Sequence, residues 1–326
     1  MSENDRYETY QAVPAEYNLL EAPQRELDLY GIPPRPDSSA ERQLHDFWIK
    51  LVSPPFQKID PGAQILDIPV QTQPPNNLES SLNWSGAVVS PPWPKRITLA
   101  VAGWIVPDVS RPSTPALFTQ EDAPKTLVWV GLDGHNGRLP KISLPQIGTF
   151  HTPDGSSDDQ HFAWSCWWHH SSQQQTVSRI TNFKFHPGQE IMAGLWVMIC
   201  GDVSFFIKNQ STGDFCSFLC KRQSLGDIEP LGSSAEWVVE RPTEPATGKL
   251  YPLAAYGSVD FKYCMALAAD KPLAPGRVMT LADNGRMIKM REAFADPYRT
   301  VYVSRAKQRR DSDGSIGVTC TFHEPV

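Results

Sequence analysis

From Asn83 to the C-terminus the chain is a series of short runs rich in β-branched and aromatic residues, separated by clusters of Gly, Pro, Asn, Asp and Ser. Ile97 to Val106, Thr126 to Leu132, Ala163 to Trp168 and Ile191 to Cys200 are the clearest of these runs. Such runs suit a pleated, half-buried surface, and the clusters between them suit turns. No stretch with a helical period alternates with them, which argues against a parallel α/β sheet. The 30 prolines agree, because proline is tolerated in loops and at strand ends and breaks helices. Val203 to Lys208 and Asp214 to Leu219 flank Asn209-Gln-Ser-Thr-Gly213, a hairpin signal with glycine available for positive φ. The expectation is an all-β fold, a two-sheet antiparallel β-sandwich over residues 79–326.

Residues 1–78 read differently. They are polar and proline-rich, without sustained alternation, and predict a mostly irregular extension with one short helix. Leu44, Phe47, Trp48 and Leu51 form an i, i+3, i+4, i+7 stripe ended by Pro54-Pro55. Ser38 and Glu41 have capping-box spacing ahead of it. The stretch Gln71-Thr-Gln-Pro-Pro-Asn-Asn reads as a linker.

The net charge of −6 gives no electrostatic basis for a nucleic-acid partner. The basic cluster at Lys307, Arg309 and Arg310 is short and followed by acids. No apolar run is long enough to span a membrane. The polar start, Met1 to Glu8, lacks the apolar core of a secretory signal, so the chain as given reads as made in the cytoplasm. The six cysteines form no C-x-x-C pair or zinc-ribbon spacing and read as mostly buried thiols, with a Cys264 to Cys320 bridge left open.

The run Ala235-Glu236-Trp237-Val238-Val239-Glu240 carries the most chemistry. On a strand, Glu236, Val238 and Glu240 share one face while Trp237 and Val239 share the other. The second face can enter a core, and the first can bring carboxylates to a cleft, where a rigid strand would hold a general base. A half-buried strand with solvated acids is the plainer alternative.

Read together, several of these segments resemble the glutamic peptidase (eqolisin) family. The matching blocks are Asn83-Trp84-Ser85-Gly86-Ala87-Val88, Trp129-Val130-Gly131-Leu132-Asp133-Gly134, Leu144-Pro145-Gln146-Ile147-Gly148, the Asn209 to Gly213 hairpin, and Ala235 to Glu240. Tyr251-Pro252-Leu253-Ala254 and Val259-Asp260-Phe261 complete the series. The resemblance implies a lectin-like (concanavalin-like) sandwich with a substrate groove on its concave face, and an endopeptidase acting on polypeptides in acid. The family's catalytic glutamine falls on Gln146 and its catalytic glutamate on Glu240. Trp84 and Trp129 fall on groove-lining tryptophans, and Asp133 on an aspartate near the site. Glu236 and Cys166 join the expected groove residues. No metal or organic cofactor is expected, and residues 1–78 become a pro-segment or packed cap in contact with the groove. The family is typically secreted, which leaves localisation open.

The match departs from the family in one block. Ala163-Trp164-Ser165-Cys166-Trp167 carries Cys166 where the family has a carboxylate, and Phe162 stands where an aspartate precedes it. Fewer neighbouring negative charges would lower the pKa of Glu240, giving a shifted optimum or reduced activity. A non-catalytic peptide- or sugar-binding protein with a Trp-lined groove is the rival reading. His161, His169 and His170 beside Cys166 offer two convergent ligands at most for a metal, and Cys166 has no nucleophile motif around it. Asn83 and Asn209 fit the glycosylation pattern only in an exported chain, and Asp133 to Gly137 lacks EF-hand spacing.

Overall fold

A computed structural model describes residues 7–62, 66–72, 79–113, 123–136, 143–154, 157–169, 175–225, 228–292, 300–312 and 314–324. Two antiparallel sheets pack face to face, as the alternation predicts. In the first, neighbouring strands run Arg286–Arg291, Trp84–Val89, Ala235–Glu240, Thr126–Leu132, Ser143–His151, His161–His169, Gln175–Ile180 and Leu66–Thr72. In the second they run Asp214–Cys220, Val203–Asn209, Glu190–Val197, Arg96–Ile105, Ser258–Ala269, Ile316–Phe322, Tyr302–Arg310 and again Arg286–Arg291. The last strand belongs to both sheets and joins them along one edge.

Strand parity decides what fills the space between the sheets. Ala235, Trp237 and Val239 enter the shared core with Val128, Val130, Ala100, Ala102, Ala193 and Leu195. Two indoles tie the layers by hydrogen bonds as well as by area: Trp237 Nε1 donates to the Val101 carbonyl at 2.9 Å, and Trp104 Nε1 donates to Thr149 Oγ1 at 3.1 Å. Satisfying these N–H groups removes the penalty that burial would otherwise impose.

The second sheet is apolar on both faces. Along Arg96–Ile105, Ala100 and Ala102 point into the sandwich, while Leu99 and Val101 point outward. The outer face is covered by the N-terminal extension. Its helix, Arg42–Val52, lays Leu44, Phe47, Trp48 and Leu51 against Leu99, Val101, Met192, Trp196, Phe206 and Leu267. The helix ends at Ser53, before the two prolines. Lys208 sits beneath this end and donates to the Leu51 and Ser53 carbonyls at 2.8 and 2.9 Å, a cation on the negative end of the helix dipole.

The extension departs from expectation in three ways. The Ser38–Glu41 capping box does not form; Glu41 instead accepts from the Asp37 and Gly276 amides at 3.1 and 3.0 Å, fastening the helix to a sandwich loop. A second short helix, Gln24–Leu29, is present, with Leu27 buried in the same cluster. The supposed linker begins with two residues, Gln71 and Thr72, that belong to the Leu66–Thr72 strand; positions 73–77 of it lie outside the described residues. The Asn209–Gly213 hairpin forms as read, with Gly213 at φ +86°. All six cysteines are free, so no Cys264–Cys320 bridge exists, and only Cys200 is exposed. No described helix is long and apolar enough to cross a membrane.

Candidate active site

The first sheet presents its second face to a cluster of Trp84, Leu127, Trp129, Leu144, Phe150, Phe162, Trp164, Cys166, Trp168 and Val238. Glu240 and Gln146 lie on this same concave face by strand parity, on strands separated by Thr126–Leu132. Glu240 pairs with Leu127, and Gln146 with Gly131, so the two are offset by four residues along the intervening strand, roughly 13 Å.

The indole of Trp129 donates its Nε1–H to Glu240 Oε2 at 2.9 Å. The far edge of its ring lies over Gly131: a Cβ built there would meet Trp129 Cζ3 at 2.9 Å and Gln146 Cβ at 3.1 Å. Glycine at 131 therefore leaves room for the Trp129 ring edge on the side where Gln146 stands. Trp84 packs edge-on against Trp129, ring centroids 4.8 Å apart, and is itself admitted by Gly134, whose Cβ would strike the Trp84 ring at 2.4 Å.

Gln146 and Cys166 are register partners on adjacent strands. Gln146 Nε2 donates to Thr72 Oγ1 at 2.8 Å, and the Thr72 hydroxyl donates to Cys166 Sγ at 3.5 Å. This relay turns the amide so that Gln146 Oε1 is left buried without a partner. The position where the family has an acid thus holds a thiol tied to a hydroxyl.

Glu236 shares the row of Gln146, both being register partners of Gly131, and Asp133 lies two residues beyond Gly131. Glu236 accepts from the His135 amide at 3.1 Å. Burial, with the charge of Asp133 adding, pushes its carboxyl up to about 8, so it holds a proton throughout the acid range. Asp133, at φ +72°, spends its carboxylate on the Gly232 and Ser233 amides at 3.1 and 2.5 Å and the Ser233 hydroxyl at 2.8 Å. Burial raises its pKa and the Ser233 bonds oppose the rise. These contacts make it a clasp for the 231–234 loop.

The metal alternative gathers no ligand set among the described residues. His161 turns away from Cys166 by strand parity and meets His151 instead, Nδ1 to Nδ1 at 2.9 Å, while His170 lies outside the described residues. Burial lowers the pKa of both rings, His151 the further.

Thr72 is the residue that sequence reasoning missed. It was hidden by assigning it to a linker, although Ile68, Val70 and Thr72 share strand parity. The Leu66–Thr72 strand pairs with Gln175–Ile180, and Gln71 also exchanges two backbone hydrogen bonds with Thr243, both at 2.9 Å. Thr243 lies three residues beyond Glu240. The sheet therefore curls over until its last strand returns to the far side of the concave face. Val70 is buried in the aromatic cluster beneath it, and both Glu240 and Gln146 are 0% exposed. Val13 to Phe56 of the extension supply the cluster on the outer side of the second sheet, away from this face, while Tyr7 and Ile59 pack against the core between the sheets. A cavity of about 460 Å³ between the extension and Thr98, Leu99 and Trp196 is likewise remote from it.

Comparison with known proteins agrees with this architecture. A profile described as the Peptidase A4 family matches residues 82–303. The crystal structure of scytalido-glutamic peptidase with a transition state analog inhibitor is similar at TM-score 0.52 and 17% identity, covering 74% of this chain and 98% of that one. SCP-B, a member of the eqolisin family solved with the tripeptide Ala-Ile-His, is similar at TM-score 0.50 and 16% identity, with the same 74% and 98% coverage. At these identities the likeness speaks for the fold, while the profile speaks for descent. No curated protein sequence matches the chain. With the profile spanning more than half of its length, the chain belongs to the Peptidase A4 family, the glutamic peptidases or eqolisins.

Proposed function

We propose that the chain is an endopeptidase that hydrolyses peptide bonds of polypeptides at acidic pH, with Glu240 and Gln146 as its working pair. The observation that carries this reading is that Glu240 and Gln146 share one buried face, with the Trp129 N–H holding the Glu240 carboxylate and its ring edge beside Gly131, the register partner of Gln146. Ionised Glu240 takes a proton from a water as that water attacks the peptide carbonyl, and returns it to the departing nitrogen. Gln146 supplies groups that do not titrate: its amide N–H to the developing oxyanion, and its unpartnered Oε1 to orient the water. Glu236, protonated in acid, adds no negative charge to the face, so removal of the family acid at Cys166 is not compensated by it. Trp84 and Trp129 shape the groove, and Asp133 acts on it through the 231–234 loop.

The relatives solved with a transition state analog and with a tripeptide lend the polypeptide substrate class. The thiol of Cys166, bonded to Thr72, favours the rival reading of a binding protein without catalysis. The test is cleavage of an unfolded protein substrate across acidic pH by the wild type, Glu240→Gln and Gln146→Ala. Loss of a donor of this type costs a hundredfold or more, roughly, in kcat. Equal cleavage by all three, or none at any pH with the groove opened as described below, defeats the enzyme reading.

A further inference from the structure

The concave face is complete but covered. The cover is part of the chain itself: Leu66–Thr72 crosses it as an extended strand, paired with Gln175–Ile180 on one side and with Thr243 on the other. Val70 and Thr72, alternate residues, face the cluster and Gln146 respectively. We propose that Leu66–Thr72 is a tethered occupant of the substrate groove, and that a polypeptide substrate enters as an extended strand in its place. The inference rests on the peptidase reading of Glu240 and Gln146.

Four observations carry it. A backbone ladder on one side, with the Gln71–Thr243 bridge on the other, resembles the way an added peptide strand is held in strand-addition complexes, where main-chain bonds supply affinity and alternate side chains supply selectivity. The covered face keeps buried polar atoms that the strand does not satisfy: Gln146 Oε1, Trp84 Nε1 and Trp164 Nε1. Unpaired donors and acceptors are costly inside a fold, and a ligand rich in peptide groups would pair them. The strand's hold is also partial. Its register with Gln175–Ile180 slips between Thr176 and Ser178, and Pro69 brings no N–H to the ladder. Finally, the strand meets Gln146 through the Thr72 hydroxyl. A hydroxyl offers no carbonyl carbon to an attacking water, so an occupant docked in this way is held without being cut.

Two consequences follow. The substrate is an unfolded or extended segment, recognised mainly through its backbone, with small β-branched side chains accepted at the two positions filled by Val70 and Thr72. The free enzyme is restrained until the strand lifts.

The experiment uses the full-length protein and two changes. Gln71→Pro removes the N–H that donates to Thr243. A Gln71→Cys, Thr243→Cys pair places thiols on register-opposed residues whose spacing suits a disulfide, locking the strand down. Two readouts are taken: kcat/KM on an unfolded protein substrate in acid, and the rate at which a small alkylating reagent modifies Cys166, mapped by mass spectrometry. Gln71→Pro is expected to raise both by about tenfold, the scale of one lost net hydrogen bond. The oxidised double-cysteine form is expected to cleave nothing and to recover on reduction. If Gln71→Pro speeds alkylation but lowers cleavage, the strand is a working part of the site and the proposal is overturned. It is equally overturned if the oxidised lock cleaves at the reduced rate. Faster alkylation with no cleavage by any form keeps the strand as a removable cover and sinks the peptidase reading alone.

Discussion

Trp129→Phe separates the role of one hydrogen bond from the rest of the site. The change keeps an aromatic ring against Trp84 and deletes the N–H that meets Glu240 Oε2 at 2.9 Å. A hydrogen bond to a charged acceptor contributes about 1.5–3 kcal/mol, and one pKa unit corresponds to about 1.4 kcal/mol. The bond favours the ionised carboxylate, and a base must be ionised to accept a proton, so losing it should cut kcat/KM on the acidic limb by roughly ten- to a hundredfold and move that limb to higher pH. The stability cost has the same sign logic. The bond stabilises the fold where Glu240 is ionised, and that part of the contribution fades as pH falls through the folded pKa. Trp129→Phe should therefore lose stability near neutral pH and approach the wild type in strong acid, apart from a pH-independent packing loss. The assay is a kcat/KM profile on a peptide substrate beside thermal unfolding at matched pH values. A folded variant whose acidic limb stays in place would show that the Trp129 bond does not hold the working carboxylate.

Three further outcomes rest on other parts of the structure. Glu236 is raised to about 8 when folded, above its unfolded value, so its own contribution to stability is full below the unfolded value and is lost as pH rises toward 8; Glu236→Gln should flatten the dependence of Tm on pH over that window. Phe47→Ala should cost about 3–5 kcal/mol, read by denaturant unfolding, because Phe47 fixes the extension's helix against the Phe206 and Tyr263 rings. Gly148→Ala should leave little soluble protein, since a Cβ there would meet the Val128 carbonyl oxygen at 2.0 Å and Trp129 Cβ at 2.6 Å; wild-type yield and Tm would contradict the close approach of those strands.

What was legible in the sequence was whatever strand parity and local turn chemistry control. Parity alone assigned Trp237 and Val239 to the core and Glu236 and Glu240 to the opposite face, and the register bears this out. The stripe at Leu44, Phe47, Trp48 and Leu51 forecast both the helix and its dependence on an apolar surface. The surface itself was not forecast, because Leu99 and Val101 read as ordinary strand residues until a second layer is known to cover them. The capping box failed for a similar reason: Glu41 has a partner at Gly276, far along the chain, that competes with the local bond.

The strand at Leu66–Thr72 marks the limit most clearly. A linker and an isolated edge strand have the same local composition, and Pro69 counts against a strand in any window-based reading. What makes the segment a strand is supplied from outside it: an unpaired edge at Gln175–Ile180, a backbone partner at Thr243, and an apolar face that accepts Val70. Each of those features would serve an incoming peptide equally well. A segment whose structure comes almost entirely from the groove it lies in, and hardly from its own sequence, has the physical properties of a ligand. For that reason the same residues that escaped prediction are the ones through which access to Glu240 and Gln146 would be controlled.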